Sequence, residues 1–207
     1  MPIEPAVLAT YLVACAVMVV VPGPDTAFVL GQTLARGRRA GWAATCGIYA
    51  GASVHITLAA LGVSTAVAAS PVLFEAVRLV GATYLLWLGV LALCAAFRRD
   101  RSALTAAPPA RRAFVQGMLT NLLNPKVTMF FVAFLPQFVD PARGPVWLQM
   151  MLLGPLLPLL SVPFFAAVIV GADRVAARVS AGPGVRWLHG ATGAIFVGLA
   201  ARLALAR

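Results

Sequence analysis

The chain has 207 residues, of which 61% are hydrophobic and only 11% are charged, and its formal net charge is +10. A soluble domain has roughly 25% charged residues, so this composition excludes an ordinary soluble protein and indicates one that lies in a membrane. The positive charge is not expected to bind nucleic acid, because arginines in a membrane protein hold the cytoplasmic loops.

Six apolar stretches are each long enough to cross a ~30 Å hydrocarbon core as a helix. They cover about residues 6–35, 41–69, 72–97, 113–139, 146–171 and 185–205. Transmembrane strands would need about 10 residues of alternating polarity, and this pattern is absent. The sequence therefore predicts one all-α membrane domain over residues 1–207, with six transmembrane helices in contact with lipid.

The first stretch contains a break at Val21-Pro22-Gly23-Pro24-Asp25. Proline has no amide proton and clashes with the preceding turn, so this sequence interrupts the helix. Asp25 can cap the helix that restarts there, a role that does not exclude contact with a ligand. The stretch is expected to be retained rather than cleaved as a signal peptide, because no basic residues precede it and no small-residue cleavage site follows.

The second stretch contains His55 near its middle. Its imidazole could relay a coupling proton, since histidine titrates near neutral pH, or it could bind a neighbouring helix. Gly47 and Gly51 are spaced for close helix packing, either within the chain or across a homodimer.

The third and sixth stretches resemble each other. Leu79-Val80-Gly81-Ala82-Thr83 matches Leu188-His189-Gly190-Ala191-Thr192, and in each stretch another glycine follows eight residues after the first. Two halves of three helices, about 1–100 and 111–207, must enter the membrane in opposite orientations because three is odd. The sequence therefore predicts an inverted-topology repeat, the architecture of many secondary transporters.

The fourth stretch contains the chain's only lysine, Lys126, in Asn124-Pro125-Lys126. A cation at this depth costs between ~3 and more than 10 kcal/mol unless it faces a polar cavity or a partner. The repeat relates this stretch to the first, so that Lys126 after a proline corresponds to Asp25 after a proline. Such paired interruptions indicate a transporter's binding site. Asn121 and Asn124 could line that site or bond across helices.

Asp25 and Lys126 are expected at similar depth. Counted from Arg36 and Arg112, they lie roughly 16 and 21 Å along their helices. The two charges could neutralise one another or hold the two ends of a zwitterion.

Arginine clusters predict the orientation, because they follow the first, third and fifth stretches and the positive-inside rule places such loops in the cytoplasm. Both termini are therefore expected outside. The arginines concerned are Arg36, Arg38, Arg39, Arg98, Arg99, Arg101, Arg111, Arg112, Arg174, Arg178 and Arg186.

These motifs resemble those of the LysE/RhtB family of bacterial amino-acid exporters. The resemblance is carried by Pro22-Gly23-Pro24 with the Arg36–Gly41 turn, and by Asn124-Pro125-Lys126 with Phe134–Phe138. It spans nearly the whole chain and implies an inner-membrane secondary transporter, not an enzyme, that is driven by the proton-motive force and needs no cofactor. The position of Asp25 is often Asn in this family, so the carboxylate could change the substrate charge preference or bind a proton.

The leading hypothesis is therefore export of amino acids or related small zwitterions by proton antiport. Lys126 would hold the substrate carboxylate, assisted by Asn124 and the helix start at Gly23-Pro24, with Asn121 nearby. Asp25 would take the ammonium or the counter-transported proton, and His55 is the second candidate for proton coupling.

Three alternative functions fit the sequence less well. A thiol–disulfide carrier would need a thiol from each half, whereas Cys15, Cys46 and Cys94 all lie in the first half. Metal-ion efflux would need several anionic or imidazole ligands, whereas the interior offers one carboxylate, one central histidine and a repelling lysine. An intramembrane hydrolase is disfavoured, because Ser53 and His55 do not face each other on a helix.

Overall fold

A computed structural model describes residues 3–62 and 110–179, with isolated positions within 72–94 and 194–201. Every regular element in this part of the chain is helical, in agreement with the predicted all-α class. The α-helices are α1 (Pro5–Val20), α2 (Pro24–Arg36), α3 (Arg38–Ala60), α4 (Ala110–Leu122), α5 (Pro125–Met129), α6 (Val146–Leu153) and α7 (Leu156–Val179). A π-helical turn (Phe130–Phe134) and two 3-10 turns (Leu135–Phe138 and Pro141–Arg143) follow α5.

Both predicted breaks are present. The helix axis bends by 47° between α1 and α2, and by 52° between α4 and the segment Pro125–Phe138. By length and composition, Arg38–Ala60 and Val146–Ala176 can each cross a membrane alone, and each bent pair can form a further span. The described residues thus supply up to four membrane spans.

Two predicted boundaries were wrong. The second stretch was expected to continue to residue 69, but α3 ends at Ala60 and turns at Gly62, whose φ is +77°. The fifth was expected to end at 171, but α7 continues to Val179 and carries Arg174 on the helix. Hydropathy alone does not predict where these two helices end. A glycine turn can end a helix within an apolar stretch, and a helix with arginines near its end can continue beyond the apolar stretch into water.

Some predictions lie outside the described residues. They include Gly81 and Gly190, which carry the predicted repeat, and His189, Arg98, Arg99, Arg101 and Arg186.

The first and fourth spans cross each other antiparallel at their breaks. Tyr11 of α1 packs against Phe130 and Phe138, which follow the second break, with ring centroids 5.8 and 5.1 Å away. Asn121, which precedes that break, instead contacts α2. The first half of each span therefore packs against the second half of the other.

Helices α3 and α4 pack backbone to backbone through glycines. A Cβ built on Gly47 would overlap the carbonyl of Phe114, and one on Gly117 would overlap the carbonyl of Ala44. A Cβ on Gly51 would lie 2.9 Å from the carbonyl oxygen of Met118. Gly47 and Gly51 are thus used within the chain, and the alternative of a dimer face through them is wrong.

We expect Gly117→Ala to destabilise the protein by about 1–3 kcal/mol, because the methyl group would force α3 and α4 apart. Thermal unfolding in detergent measures the effect. Gly171→Ala in α7 is the matched control, since a Cβ there meets nothing within 4 Å. Equal melting temperatures for the two variants would contradict the close packing of α3 on α4.

Candidate functional site

A cavity lies where the two breaks meet α3 and α7. Its polar lining on the side of the breaks includes Asp25, Thr26, Asn121, Asn124 and Lys126. The wall formed by α3 and α7 is mostly apolar and includes Ile48, Leu157, Phe164 and Phe165. The structure therefore brings the residues predicted from the two proline motifs into one cavity, next to an apolar surface.

Asp25 points into this cavity from the first turn of α2. The helix is capped by the extended backbone of Gly23, and Pro24 occupies its first position, so the expectation that Asp25 caps the helix was wrong. Its Oδ2 instead accepts a 2.7 Å hydrogen bond from Nδ2 of Asn121 in α4. The Asn124 side chain also lies beside this carboxylate.

Two buried acceptor atoms on residues that line the cavity lack a donor. They are Oδ1 of Asp25 and Oδ1 of Asn121, neither of which has a hydrogen-bond partner in the described part of the chain. Asn121 is only 2% exposed. A buried acceptor left without a donor costs about 1–3 kcal/mol, so this end of the cavity favours a ligand with several N–H donors.

Asn124 orients the start of α5. Its side-chain oxygen accepts a 3.1 Å hydrogen bond from the backbone N–H of Lys126, and Pro125 occupies the first helical position. This cap directs the Lys126 side chain across to the other break.

Lys126 replaces a backbone donor that proline removes from α1. In a helix the carbonyl of Met18 would accept from the amide of residue 22, but residue 22 is Pro22 and has no amide proton. The ammonium of Lys126 donates to this carbonyl at 2.7 Å and also to the carbonyl of Val21. Its alkyl chain lies on Gly23, where a Cβ would come within 3.3 Å of it.

Lys126 and Asp25 do not form an ion pair in this conformation. The ion pairs within 4 Å among the described residues are Arg38–Asp173, Arg143–Glu4 and Arg143–Asp140. The two central charges thus lie in one cavity without direct contact. An ammonium has three donors, so Lys126 retains one for a ligand.

His55 adds a second donor at the second break, where the Asn121 carbonyl also accepts a 3.0 Å hydrogen bond from the backbone N–H of Asn124. The carbonyl of Asn121 would accept from the amide of residue 125, which is Pro125. Nε2 of His55 lies 3.3 Å from this carbonyl oxygen and must carry the proton, because a carbonyl only accepts. The buried imidazole stacks on Phe131 with centroids 5.9 Å apart. This contact is the one expected of a histidine that binds a neighbouring helix.

The sequence did not single out Tyr49 and Ser161, which also line the cavity from α3 and α7. Their hydroxyl groups are hydrogen-bonded to each other at 3.1 Å. The only feature of the sequence that could have indicated them is that each is a polar residue inside an apolar stretch. This feature is weak, because hydroxyl groups in such stretches commonly bond within their own helix.

Comparison with known proteins gives a consistent set of matches. The sequence model of the LysE type translocator family matches residues 16–207. An uncharacterized membrane protein of Pseudomonas aeruginosa is 35% identical over 208 residues, covering 95% of this chain and 94% of the relative. The leucine efflux protein of Klebsiella pneumoniae is 36% identical and that of Salmonella typhimurium 34%, each covering 94% of this chain and 93% of the relative. No solved structure matches the chain.

We expect His55→Phe to lower the melting temperature in detergent, because the variant keeps a ring against Phe131 but removes the side-chain hydrogen bond to the Asn121 carbonyl, which then keeps only its backbone donor Asn124; one such hydrogen bond is worth about 0.5–1.5 kcal/mol. His55→Gln is the control, since an amide can still donate and should retain more of the stability. Equal loss in both variants would show that the donated hydrogen bond is not what His55 contributes.

Proposed function

Because the chain belongs to the LysE type translocator family, we propose that it exports amino acids with apolar side chains, leucine among them, across the bacterial inner membrane. The observation that carries this proposal is the cavity, in which unpaired acceptors, a lysine ammonium and an apolar wall lie together. These are the three features that an amino-acid zwitterion with a hydrophobic side chain requires.

The substrate ammonium would bind to Oδ1 of Asp25 and Oδ1 of Asn121. Both oxygens are buried and lack donors, and an ammonium supplies three. Binding would thus remove the cost of two unsatisfied acceptors at once. The negative charge of Asp25 supplies the electrostatic attraction that Asn121 lacks.

The substrate carboxylate would bind to the remaining donor of Lys126, next to the restart of α2 at Gly23-Pro24. The positive end of α2 favours an anion at this place, and Asn124 fixes the start of α5 that carries Lys126. Because Lys126 and Asp25 are held by different partners, they can serve opposite ends of one zwitterion without first breaking an ion pair.

The side chain of the substrate would pack on the apolar wall of α3 and α7. Ile48, Leu157 and Phe165 contribute to this wall, and a buried leucine-sized side chain gains about 1.5–3 kcal/mol from such contacts. Two of the relatives carry the name leucine efflux protein, which supports the same substrate class.

Transport would proceed by rocking of two inverted three-helix halves, about 1–100 and 111–207. The antiparallel, similarly broken first and fourth spans support this architecture. Two ion pairs join the halves at opposite ends: Arg38–Asp173 at the arginine-rich end, and Glu4–Arg143 at the other. Exposed pairs of this kind are worth about 0–1 kcal/mol, so they can open in turn. The arginine-rich end would face the cytoplasm and both termini the outside.

Coupling to the proton-motive force would follow from competition at Asp25. The carboxylate can hold either the substrate ammonium or a proton, so release of one permits entry of the other, and no cofactor is required. His55 is the second candidate for the proton site, although its Nε2 proton is already donated to the Asn121 carbonyl.

Asp25→Asn and Lys126→Met should each abolish leucine counterflow in proteoliposomes while leaving folded protein in the membrane, because each removes one of the two charges that the zwitterion needs. Asp140→Asn is the matched control, since Asp140 caps an exposed turn outside the cavity, asparagine also caps well, and the exposed ion pair with Arg143 that is lost is worth only about 0–1 kcal/mol. Normal counterflow in either cavity variant would refute the site.

Lys126→Met also removes the hydrogen bonds that Lys126 donates to the carbonyls at the end of α1. A second experiment must therefore separate this structural role from substrate binding. Leucinol lacks the carboxylate, and wild-type protein should bind it about ten- to a hundredfold more weakly than leucine. Lys126→Met should bind leucine and leucinol with similar affinity. If the variant still prefers leucine as strongly as the wild type does, Lys126 is a structural brace only.

An imposed pH gradient, acidic on the side that receives the substrate, should stimulate leucine export by the wild type and by His55→Gln, which can donate to Asn121 but cannot titrate. The measurement is leucine flux in proteoliposomes with and without the gradient. Loss of stimulation in His55→Gln, with counterflow unchanged, would move the coupling site from Asp25 to His55.

A further inference from the structure

The hydroxyl groups of Tyr49 and Ser161 are arranged so that both hydroxyl protons are already donated in hydrogen bonds within the protein. Oγ of Ser161 lies 2.7 Å from the carbonyl oxygen of Pro158 and 3.1 Å from the hydroxyl of Tyr49. A serine hydroxyl has one proton, and a carbonyl can only accept. Ser161 therefore donates to Pro158, and Tyr49 donates to Ser161.

This pair stands in the apolar wall of the cavity. Ser161 is 7% exposed, and the ring of Tyr49 packs edge-on against Phe165 with centroids 6.2 Å apart. Phe164 and Phe165 line the cavity alongside them. The two hydroxyls thus bring oxygen atoms to the wall without bringing a free donor.

We propose that Tyr49 and Ser161 determine which substrate side chains bind. Because Tyr49 donates to Ser161 and Ser161 donates to the Pro158 carbonyl, this wall offers no free hydrogen-bond donor. The wall therefore accepts apolar side chains and rejects side chains that need a donor. The inference rests on the proposed export of apolar amino acids and deepens it. A side chain with an acceptor would lose its water and find no proton in this wall, which is a cost that leucine or methionine does not meet.

The direction of the two hydrogen bonds makes an asymmetric prediction. In Ser161→Ala the proton of Tyr49 loses its acceptor and becomes available to a substrate. In Tyr49→Phe the proton of Ser161 stays on the Pro158 carbonyl, so no donor is released. In the double variant no hydroxyl remains, and the wall is again without a free donor.

Methionine and methionine sulfoxide are the probes, because they are similar in size and the sulfoxide oxygen only accepts. The measurement is the ratio of sulfoxide to methionine counterflow in proteoliposomes. Ser161→Ala should raise this ratio roughly 3- to 10-fold, as expected for one hydrogen bond gained. Tyr49→Phe and the double variant should keep the wild-type ratio, and so should Ser161→Thr, which retains the hydroxyl.

The outcomes are distinguishable. If the pair only braces α3 against α7, Ser161→Ala and Tyr49→Phe will lower both fluxes together and leave the ratio unchanged, which overturns the inference while the proposed function stands. A rise in Tyr49→Phe equal to that in Ser161→Ala would overturn the assigned direction. If wild-type protein carries neither leucine nor methionine, the proposed function fails and this inference fails with it. Ligand-induced shifts of the melting temperature in detergent give the same ratio for any variant too weakly active for flux.

Discussion

The structure depends on how each broken span recovers the hydrogen bond that its proline removes. In a membrane, a freed carbonyl cannot be left to lipid, because an unsatisfied group there costs several kcal/mol. The carbonyl four residues before Pro22 belongs to Met18 and accepts a hydrogen bond from the ammonium of Lys126. The carbonyl four residues before Pro125 belongs to Asn121 and accepts hydrogen bonds from the backbone N–H of Asn124 and from the imidazole of His55. Each break thus receives a side-chain donor from a different span, and at the first break this donor replaces the one that proline removes.

This constraint also explains why the two central charges stay apart. Lys126 is drawn to the carbonyl end of α1, while Asp25 is held by Asn121 on α4. The cavity between them therefore has a surplus of acceptors on one side and a spare ammonium donor on the other. A directly paired Asp25 and Lys126 would have offered a zwitterion much less, since their mutual attraction would first have to be replaced.

The sequence predicted the parts of this site that follow from residue type and position along the chain. Prolines in apolar stretches predicted both breaks, and the charge that follows each proline predicted residues that line one cavity. The sequence could not predict the hydrogen-bond partners of Asp25 and Lys126, because residue spacing gives the depth of a side chain along a helix but not its direction around the helix axis. A cap by Asp25 and a direct Asp25–Lys126 pair were therefore both open alternatives, whereas the structure has Gly23 at the cap and places the two charges in one cavity with different partners. The sequence did not predict Tyr49 and Ser161 as cavity residues for a related reason. Hydroxyls such as those of Thr33 and Thr45 bond within their own helices, and nothing local distinguishes Ser161 from them.

The contacts between helices differ in a way that limits how the halves can move. Helix α3 of the first half touches α4 of the second through backbone atoms at Gly47 and Gly117. Such an interface can pivot but cannot slide, because any translation drives Cα and carbonyl atoms into each other. Helix α7 instead contacts the first half through side chains. The exposed ion pair Arg38–Asp173 and the Tyr49–Ser161 hydroxyls join it to α3, and Phe28 of α2 and Ile169 of α7 belong to one buried apolar cluster. Such side-chain contacts can rearrange without a collision of backbone atoms. If the halves rock as proposed, the axis therefore lies along α3–α4, and the side that opens is the one where α7 covers the cavity. The same hydroxyl pair that defines the apolar wall would then lie at its moving edge, so substrate selection and opening would involve the same two residues.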